Sequence, residues 1–228
     1  TGIEKITSPV AVAIGRAHVC VLQSNGYVSC WGSNGVGQLG DGTKSPSETP
    51  VMVVGISEVI AISSVDDSTC AILSDNTLQC WGKNGRGQLG DGTIVDSPVP
   101  VKVTGITGAV AIAAGVDHTC ASLLDLTVWC WGRDDTGQLG NLSTLDSLVP
   151  VAALDITSAV RVTPTCALLQ EGVVLCWGIG PLGHGSSTIS LTPVAVKNLE
   201  DVTRIADNCA IVRDGTIWCW GTLPVLTG

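Results

Sequence analysis

Several things are scarce in this sequence of 228 residues, and each scarcity removes a class of function. Lysine and arginine number 11 against 20 aspartates and glutamates, giving a net charge of −9 and a pI near 4.5. Nucleic acids and anionic membranes are held by basic side chains that displace counterions, so neither is an expected partner. Acidity favours solubility and admits a basic partner or cations; its plainest meaning is a solvated surface. No apolar run reaches the about 18 residues of a helical membrane span. No Gly-x-Ser-x-Gly elbow is present, so His18, His118 and His184 have no hydrolase motif to serve. No signal peptide is visible, and the chain opens on Thr1 without methionine, which fits a processed or trimmed form.

What is abundant is apolar residues (45%, mean hydropathy +0.41), glycine (28) and cysteine (10). The cysteines are periodic. A cysteine, nine residues, then Cys-Trp-Gly occurs five times: Cys20 to Gly32, Cys70 to Gly82, Cys120 to Gly132, Cys166 to Gly178 and Cys209 to Gly221. Self-similarity at a fixed spacing means an array of one supersecondary unit. Each copy reads as two short strands around a turn, with Ser24-Asn25-Gly26 or Arg213-Asp214-Gly215 as the hairpin signal. The two cysteines lie at equal distances from the central residue, which places them opposite each other on neighbouring strands. A three-residue loop with a glycine bulge suits the odd count.

The predicted pairs are therefore Cys20–Cys30, Cys70–Cys80, Cys120–Cys130, Cys166–Cys176 and Cys209–Cys219. Reduced buried thiols are the main alternative. A zinc cluster is disfavoured, because His18 and His118 are matched in the other copies by Ser68, Pro164 and Asp207. An even number of cysteines in one repeating spacing argues for an oxidising compartment.

Around each hairpin lie a first strand, a glycine-rich loop and a fourth strand. In the first unit these are Val10 to Ile14, Ser33 to Thr43 and Pro50 to Val53; in the second, Val59 to Ile62, Gly87 to Thr93 and Pro100 to Val103. The third unit has Ala109 to Ala113, Gly137 to Gly140 and Pro150 to Ala153. The fourth is worn, with Val160 to Val162, Gly180 to Gly185 and Pro193 to Val196. The fifth starts at Val202 to Ile205, lacks the long loop and closes on Leu223 to Leu226. Four short strands per unit of about 40–50 residues is the pattern of a β-propeller. Thr127, Trp129 and Trp131 share one strand face while Val128 and Cys130 share the other, so both faces are apolar, as a blade between two blades requires. The fold expected is all-β: one propeller domain over 1–228, with blades at about 1–53, 54–103, 104–153, 154–197 and 198–228, either closed or an open arc.

Asp117-His118-Thr119-Cys120-Ala121, followed by Cys130-Trp131-Gly132 and Gly137-Gln138-Leu139-Gly140, resembles the repeat of the regulator of chromosome condensation (RCC1) family; so does Cys80 to Thr93. The resemblance covers the first three units, weakens in the fourth and is partial in the fifth. The cysteine-bearing form is similar to secreted or cell-surface repeat proteins. The resemblance implies a propeller, typically of seven blades, with family roles that include guanine-nucleotide exchange, β-lactamase inhibition and extracellular binding. Nucleotide exchange on a cytosolic GTPase is disfavoured by disulfides, and fold analogy does not by itself transmit function.

Candidate sites remain few. The Gly-Gln-Leu-Gly loops could present backbone N–H groups to phosphate, but no Lys-Ser/Thr follows them, so Gln38, Gln88 and Gln138 are read as fixing loop backbone. Asp41-Gly42-Thr43 and Asp91-Gly92-Thr93 supply too few oxygens for calcium, which takes about six to eight. Asp66-Asp67 and Asp134-Asp135 are the paired carboxylates, and no nucleophile or base accompanies either. Trp129 and Trp218 replace Ser29, Gln79 and Leu175 and are possible interface residues, with inter-blade packing the competing role. Asn141-Leu142-Ser143 is a possible glycosylation sequon. The expected function is non-enzymatic and without cofactor: a secreted or cell-surface scaffold that binds a protein or glycan through its loop face. The alternative is a structural subunit of an extracellular assembly, in which copies of the chain bind one another.

Overall fold

A computed structural model of the protein describes residues 6–180, 182–185 and 189–220. Its regular elements are all strands, grouped into five antiparallel sheets that follow the repeat. The first holds β1 (Pro9–Ile14), β2 (His18–Gln23), β3 (Val28–Gly32) and β4 (Ser47–Met52). The second holds β5 (Val59–Val65), β6 (Ser68–Leu73), β7 (Leu78–Gly82) and β8 (Ser97–Lys102). The third holds β9 (Ala109–Gly115), β10 (His118–Leu123), β11 (Val128–Gly132) and β12 (Ser147–Ala152). The fourth holds β13 (Ala159–Val162), β14 (Cys166–Leu169), β15 (Val174–Gly178) and β16 (Ser190–Ala195). The fifth has three described strands, β17 (Val202–Ala206), β18 (Cys209–Val212) and β19 (Ile217–Cys219); the fourth strand expected at Leu223 to Leu226 lies outside the described residues.

Local chemistry accounts for the hairpins. Gly26 N–H bonds back to Gln23 O, and Gln23 N–H to Tyr27 O, which is a three-residue loop with Gly26 at φ 79° as its bulge. Asp75, Asp125 and Asp214 each accept the N–H two residues on, from Thr77, Thr127 and Thr216. These turn hydrogen bonds hold the three carboxyls below the ordinary aspartate range. With the loop so fixed, Cys20 falls opposite Cys30, and the same register recurs at Cys70/Cys80, Cys120/Cys130, Cys166/Cys176 and Cys209/Cys219. Each pair is joined as a disulfide, one per sheet, with Cα atoms 4.0–4.1 Å apart. The glycine of Trp-Gly is required where the sheet's first turn crosses it: a Cβ on Gly82 would collide with Asp67 O.

The outermost strand begins earlier than its sequence suggests, at Ser47 rather than Pro50. Cys30 pairs with Val51 and Gly32 with Ser47, so the strand bulges between these pairs and accommodates Pro50 there. Proline tolerates a bulge on an edge strand because no ladder hydrogen bond is required of it.

Two unlike faces meet wherever sheets stack. The disulfide face of one sheet packs on the tryptophan face of the next. Cys70, Ile72, Leu78, Cys80 and Leu89 close over Ala121, Leu123 and Trp131. The first sheet meets Ala71 and Trp81 in the same way, the third meets Ala167 and Trp177, and the fourth meets Ala210 and Trp220. Trp81, Trp131 and Trp177 are fully buried; burying a side chain of this size contributes about 1.5–3 kcal/mol each. Strand contacts run in series from the first sheet to the fifth, and among the described residues no comparable contact joins the fifth back to the first. Of the two architectures expected, the described chain forms the open arc.

Candidate functional site: the loop face of the blades

The 1–2 turns of the five sheets and the 3–4 loops of the first four emerge on one side, opposite the hairpin tips. Three residues of Gly-Gln-Leu-Gly build the frame there. The carbonyls of Gln38, Gln88 and Gln138 accept the indole N–H of the next sheet's tryptophan, Trp81, Trp131 and Trp177, at 3.0, 2.9 and 2.7 Å. Leu39, Leu89 and Leu139 are buried beneath. At Gly40, φ 68°, a Cβ would press on Trp81 Nε1 at 2.8 Å, so glycine lets that ring seat. The Gln38 side chain donates from Nε2 to Asp67 Oδ1 of the next sheet and accepts from Val36 N–H; Gln88 does the same with Asp117 and Arg86 N–H. Gln38 and Gln88 thus latch one blade to the next.

Other side chains complete the latch. Lys83 Nζ lies 2.8 Å from Asp117 Oδ1 and 3.0 Å from Asp66 Oδ2, and its hydrogen bond to Asp117 raises its pKa. His18 Nε2 is 2.9 Å from Thr69 Oγ1, and His118 Nε2 is 3.0 Å from Pro164 O, each across a joint. Burial lowers the pKa of both, so both are neutral at pH 7 and act as struts. The paired carboxylates are absorbed as well: Asp66 into Lys83, Asp67 into Gln38, and Asp135 into a two-pronged pair with Arg133 that lowers its pKa. Asp41 Oδ1 accepts Thr43 N–H and Oγ1–H at 2.9 Å, closing a turn.

Asp134 differs from all of these. Asn34 and Asn84 hold its position in the first two loops, where their Nδ2 groups donate to Asp41 or Asp91, to Thr43 or Thr93, and to the carbonyl of Ser45 or Val95. The third loop exchanges the pair, placing Asp134 and Asn141 where the others have asparagine and aspartate. Asp134 Oδ1 still accepts Leu139 N–H at 2.9 Å, but its fully buried Oδ2 has no partner among the described residues. Desolvation pushes its pKa up to about 6.

Beside the frame, the ends of the inner strands line an open pocket of about 730 Å³ with mainly apolar groups, among them Ile112, Val116, Val162 and Ile179, and with His118 and Arg133 at its wall. At the rim, the second and third loops expose aliphatic tips, Ile94 and Val95 on one and Leu142 and Leu145 on the other; the first loop has Gly42, Lys44 and Ser45 there. Sequence reasoning overlooked these tips, although they depart from the repeat. Trp129 is half-buried in the joint between the second and third sheets, with its Nε1 on Thr127 Oγ1, whereas Trp218 is exposed. Asn141 is half-buried and spends its Oδ1 on Ser143 N–H. His184 lies in the fourth sheet's loop.

Among solved structures the chain is similar to human WBSCR16, at 22% identity over 93% of this chain and 61% of that one, TM-score 0.83. It is also similar to Prp20p of Saccharomyces cerevisiae, described with its binding properties to Gsp1p and histones (24%, 86% and 52%, TM-score 0.72). The receptor kinase CR4 ectodomain of Physcomitrella patens matches at 19%, 96% and 53%, TM-score 0.59. At these identities the likeness is one of fold, and the chain spans between 52% and 61% of these structures' lengths. No curated protein matches the sequence. A model of the regulator of chromosome condensation (RCC1) repeat matches residues 25–72 and 75–122, and a second model of that repeat matches 10–38, 59–88 and 109–138. These matches overlap without a break from residue 10 to 138 and fall on the blades just described, so the chain belongs to the RCC1 repeat family.

Proposed function

We propose that this protein is a non-enzymatic interaction scaffold, secreted or held at the cell surface, that binds a protein partner through its loop face. The observation that carries this reading is the division of labour in the loops. Buried Asn34, Asn84 or Asp134 with the Gln and Leu that follow fix one frame in three successive blades, and the exposed tips on that frame differ, turning aliphatic at Ile94, Val95, Leu142 and Leu145. Exposed apolar groups on a rigid frame favour a protein surface over a glycan, because they offer area to bury and few hydrogen bonds to hydroxyls. Asp66, Asp67 and Asp135 are each engaged by a neighbouring side chain, which fits a frame-holding role for these carboxylates. Five disulfides support an oxidising, extracellular setting. Fold relatives give the same direction, since Kap60 is bound to yeast RCC1 in one of them.

A photoreactive side chain at Val95 or Leu145, used in the medium and on the surface of source cells, is expected to yield one discrete protein adduct. The same group at Glu48, on an outer strand, is the comparison. Adducts that are absent, or equal from all three positions, would refute binding at the loop face.

A further inference from the structure

The first three long loops are built on one plan, and the third departs from it at one buried atom. In the first two, Oδ1 of Asn34 and Asn84 accepts the N–H of Leu39 and Leu89 at 3.0 Å. That bond turns Nδ2 into a ring of four oxygens 3.0–3.2 Å away. The ring comprises Oδ1 of Asp41 or Asp91, the hydroxyl and carbonyl of Thr43 or Thr93, and the carbonyl of Ser45 or Val95. An amide nitrogen suits that place, because it brings two N–H donors to oxygens that accept.

The third loop keeps the ring and inverts its centre. Asn141 Oδ1 accepts Ser143 N–H at 3.0 Å, as Asp41 Oδ1 accepts Thr43 N–H. Ser143 Oγ accepts Leu145 N–H at 3.0 Å, as Thr43 Oγ1 accepts Ser45 N–H. Asp134 Oδ1 keeps the bond to Leu139 N–H, so Oδ2 takes the place of the amide nitrogen. Asp134 is 0% exposed, and its Oδ2 has no hydrogen-bond partner among the described residues. An oxygen thus stands among oxygens: those of the Asn141 amide, the Ser143 hydroxyl and carbonyl, and the Leu145 carbonyl. The charged groups nearest to it, Asp146 and Asp135, are negative as well, and each is paired outward with an arginine, Arg86 or Arg133. Buried carboxylates are ordinarily paired with a donor or coordinate a metal, and here the donor is missing.

We infer that the third loop holds a calcium ion, with Asp134 Oδ2, Asn141 Oδ1, Ser143 Oγ and the carbonyls of Ser143 and Leu145 as its oxygen ligands. These protein oxygens, completed by water on the side of half-buried Asn141 and Ser143, reach the about six to eight that calcium takes. Calcium accepts the irregular geometry of a loop, whereas magnesium demands a near-ideal octahedron and sheds its water reluctantly. Zinc prefers nitrogen and sulfur, which this set lacks. One carboxylate among neutral ligands makes a weak site, with an expected Kd of about 0.1–1 mM. The first two loops cannot take the ion in this way, since the amide hydrogens of Asn34 and Asn84 already occupy the place. The site needs no partner protein and is independent of the loop-face reading.

Thermal unfolding of the full, disulfide-intact chain tests it, after removal of calcium by a chelator and at constant ionic strength near about pH 7.5. Calcium chloride at about 10 mM is expected to raise the wild-type Tm by about 3–6 °C, and magnesium chloride by far less. Equilibrium dialysis with radioactive calcium is expected to find one such ion per chain. Asp134→Asn restores the amide found in the first two loops, so it is expected to fold, to be more stable than the wild type in chelator, and to lose both the bound ion and the calcium shift. Ser143→Ala keeps the carboxylate and removes one ligand; it is expected to need more calcium for the same shift. A proton on Asp134 in place of the ion would leave the wild type unmoved by calcium. Adventitious binding to the acidic surface would give equal shifts in the wild type and Asp134→Asn, or from calcium and magnesium. Either result would overturn the inference, as would a Ser143→Ala protein that binds calcium as the wild type does.

Discussion

The third and fifth sheets carry the same Cys…Cys-Trp motif and the same paired register, yet their disulfides live in different surroundings. Cys120–Cys130 is fully buried between the third sheet and the fourth, whereas Cys219 is exposed and Cys209 half-buried. A hairpin's shape is thus set within its own 11 or so residues by turn chemistry and strand propensity, while its burial is conferred by whichever blade comes next. One motif in two environments lets the covalent and packing contributions be separated.

The largest expected difference is in the cost of removing the staple. Cys120→Ser with Cys130→Ser is expected to cost about 3–5 kcal/mol: roughly 2–3 for loop closure, the rest for placing two hydroxyls in an apolar joint. Cys209→Ser with Cys219→Ser is expected to cost about 2 kcal/mol, closure alone. Denaturant unfolding measures both. Equal losses would mean that the joint adds nothing, and an unchanged third-sheet variant would sink the stapled-hairpin reading there.

A second comparison sets the third loop against the first two. Asp134 has a folded pKa of about 6, above its ordinary value. The neutral acid is the form the fold tolerates, so its contribution is fully present below about pH 4, the unfolded value, and is lost as pH rises through about 6. Asp134→Asn restores the amide of Asn34 and Asn84. It is expected to stabilise the protein by on the order of 1–2 kcal/mol at pH 8 and by little at pH 4. Thermal unfolding at the two pH values decides, and a pH-independent difference would show that the carboxyl is not desolvated.

The smallest effect lies two turns further on. Leu142 holds φ 64° where Gly42 and Gly92 hold 86° and 87°. Its side chain is exposed, so Leu142→Gly loses little burial and relieves a left-handed backbone, with an expected gain of about 0.5–1 kcal/mol in the same assay. A loss instead would mean that Leu142 packs on something the single chain does not show.

Much of this was legible beforehand, for reasons visible in particular residues. Asn25-Gly26 and Asp214-Gly215 announce hairpins, and the even placement of Cys20 and Cys30 about the turn fixes their pairing. Alternation at Val128, Trp129, Cys130 and Trp131 gives two apolar faces, hence stacking. Less legible was the early start of β4, because nothing near Ser47 signals a bulge that spares Pro50 its ladder bond. The roles of Asp134 and Lys83 were hidden too, since each depends on a partner brought close by folding: Lys83 reaches Asp117 from a neighbouring sheet, and Asp134 stands out only against the loop oxygens around it.

The sequence by itself determined the blade, its strand order, its disulfide and the chemistry of its two faces, because all of these follow from spacings of a few residues along one strand or across one turn. Only the tertiary structure decided that the described blades stop short of closing and that the ends of their inner strands line one apolar pocket. Those outcomes depend on the rotation between successive sheets and on how many are stacked, and rotations that accumulate over a whole array leave no local mark on the residues that produce them.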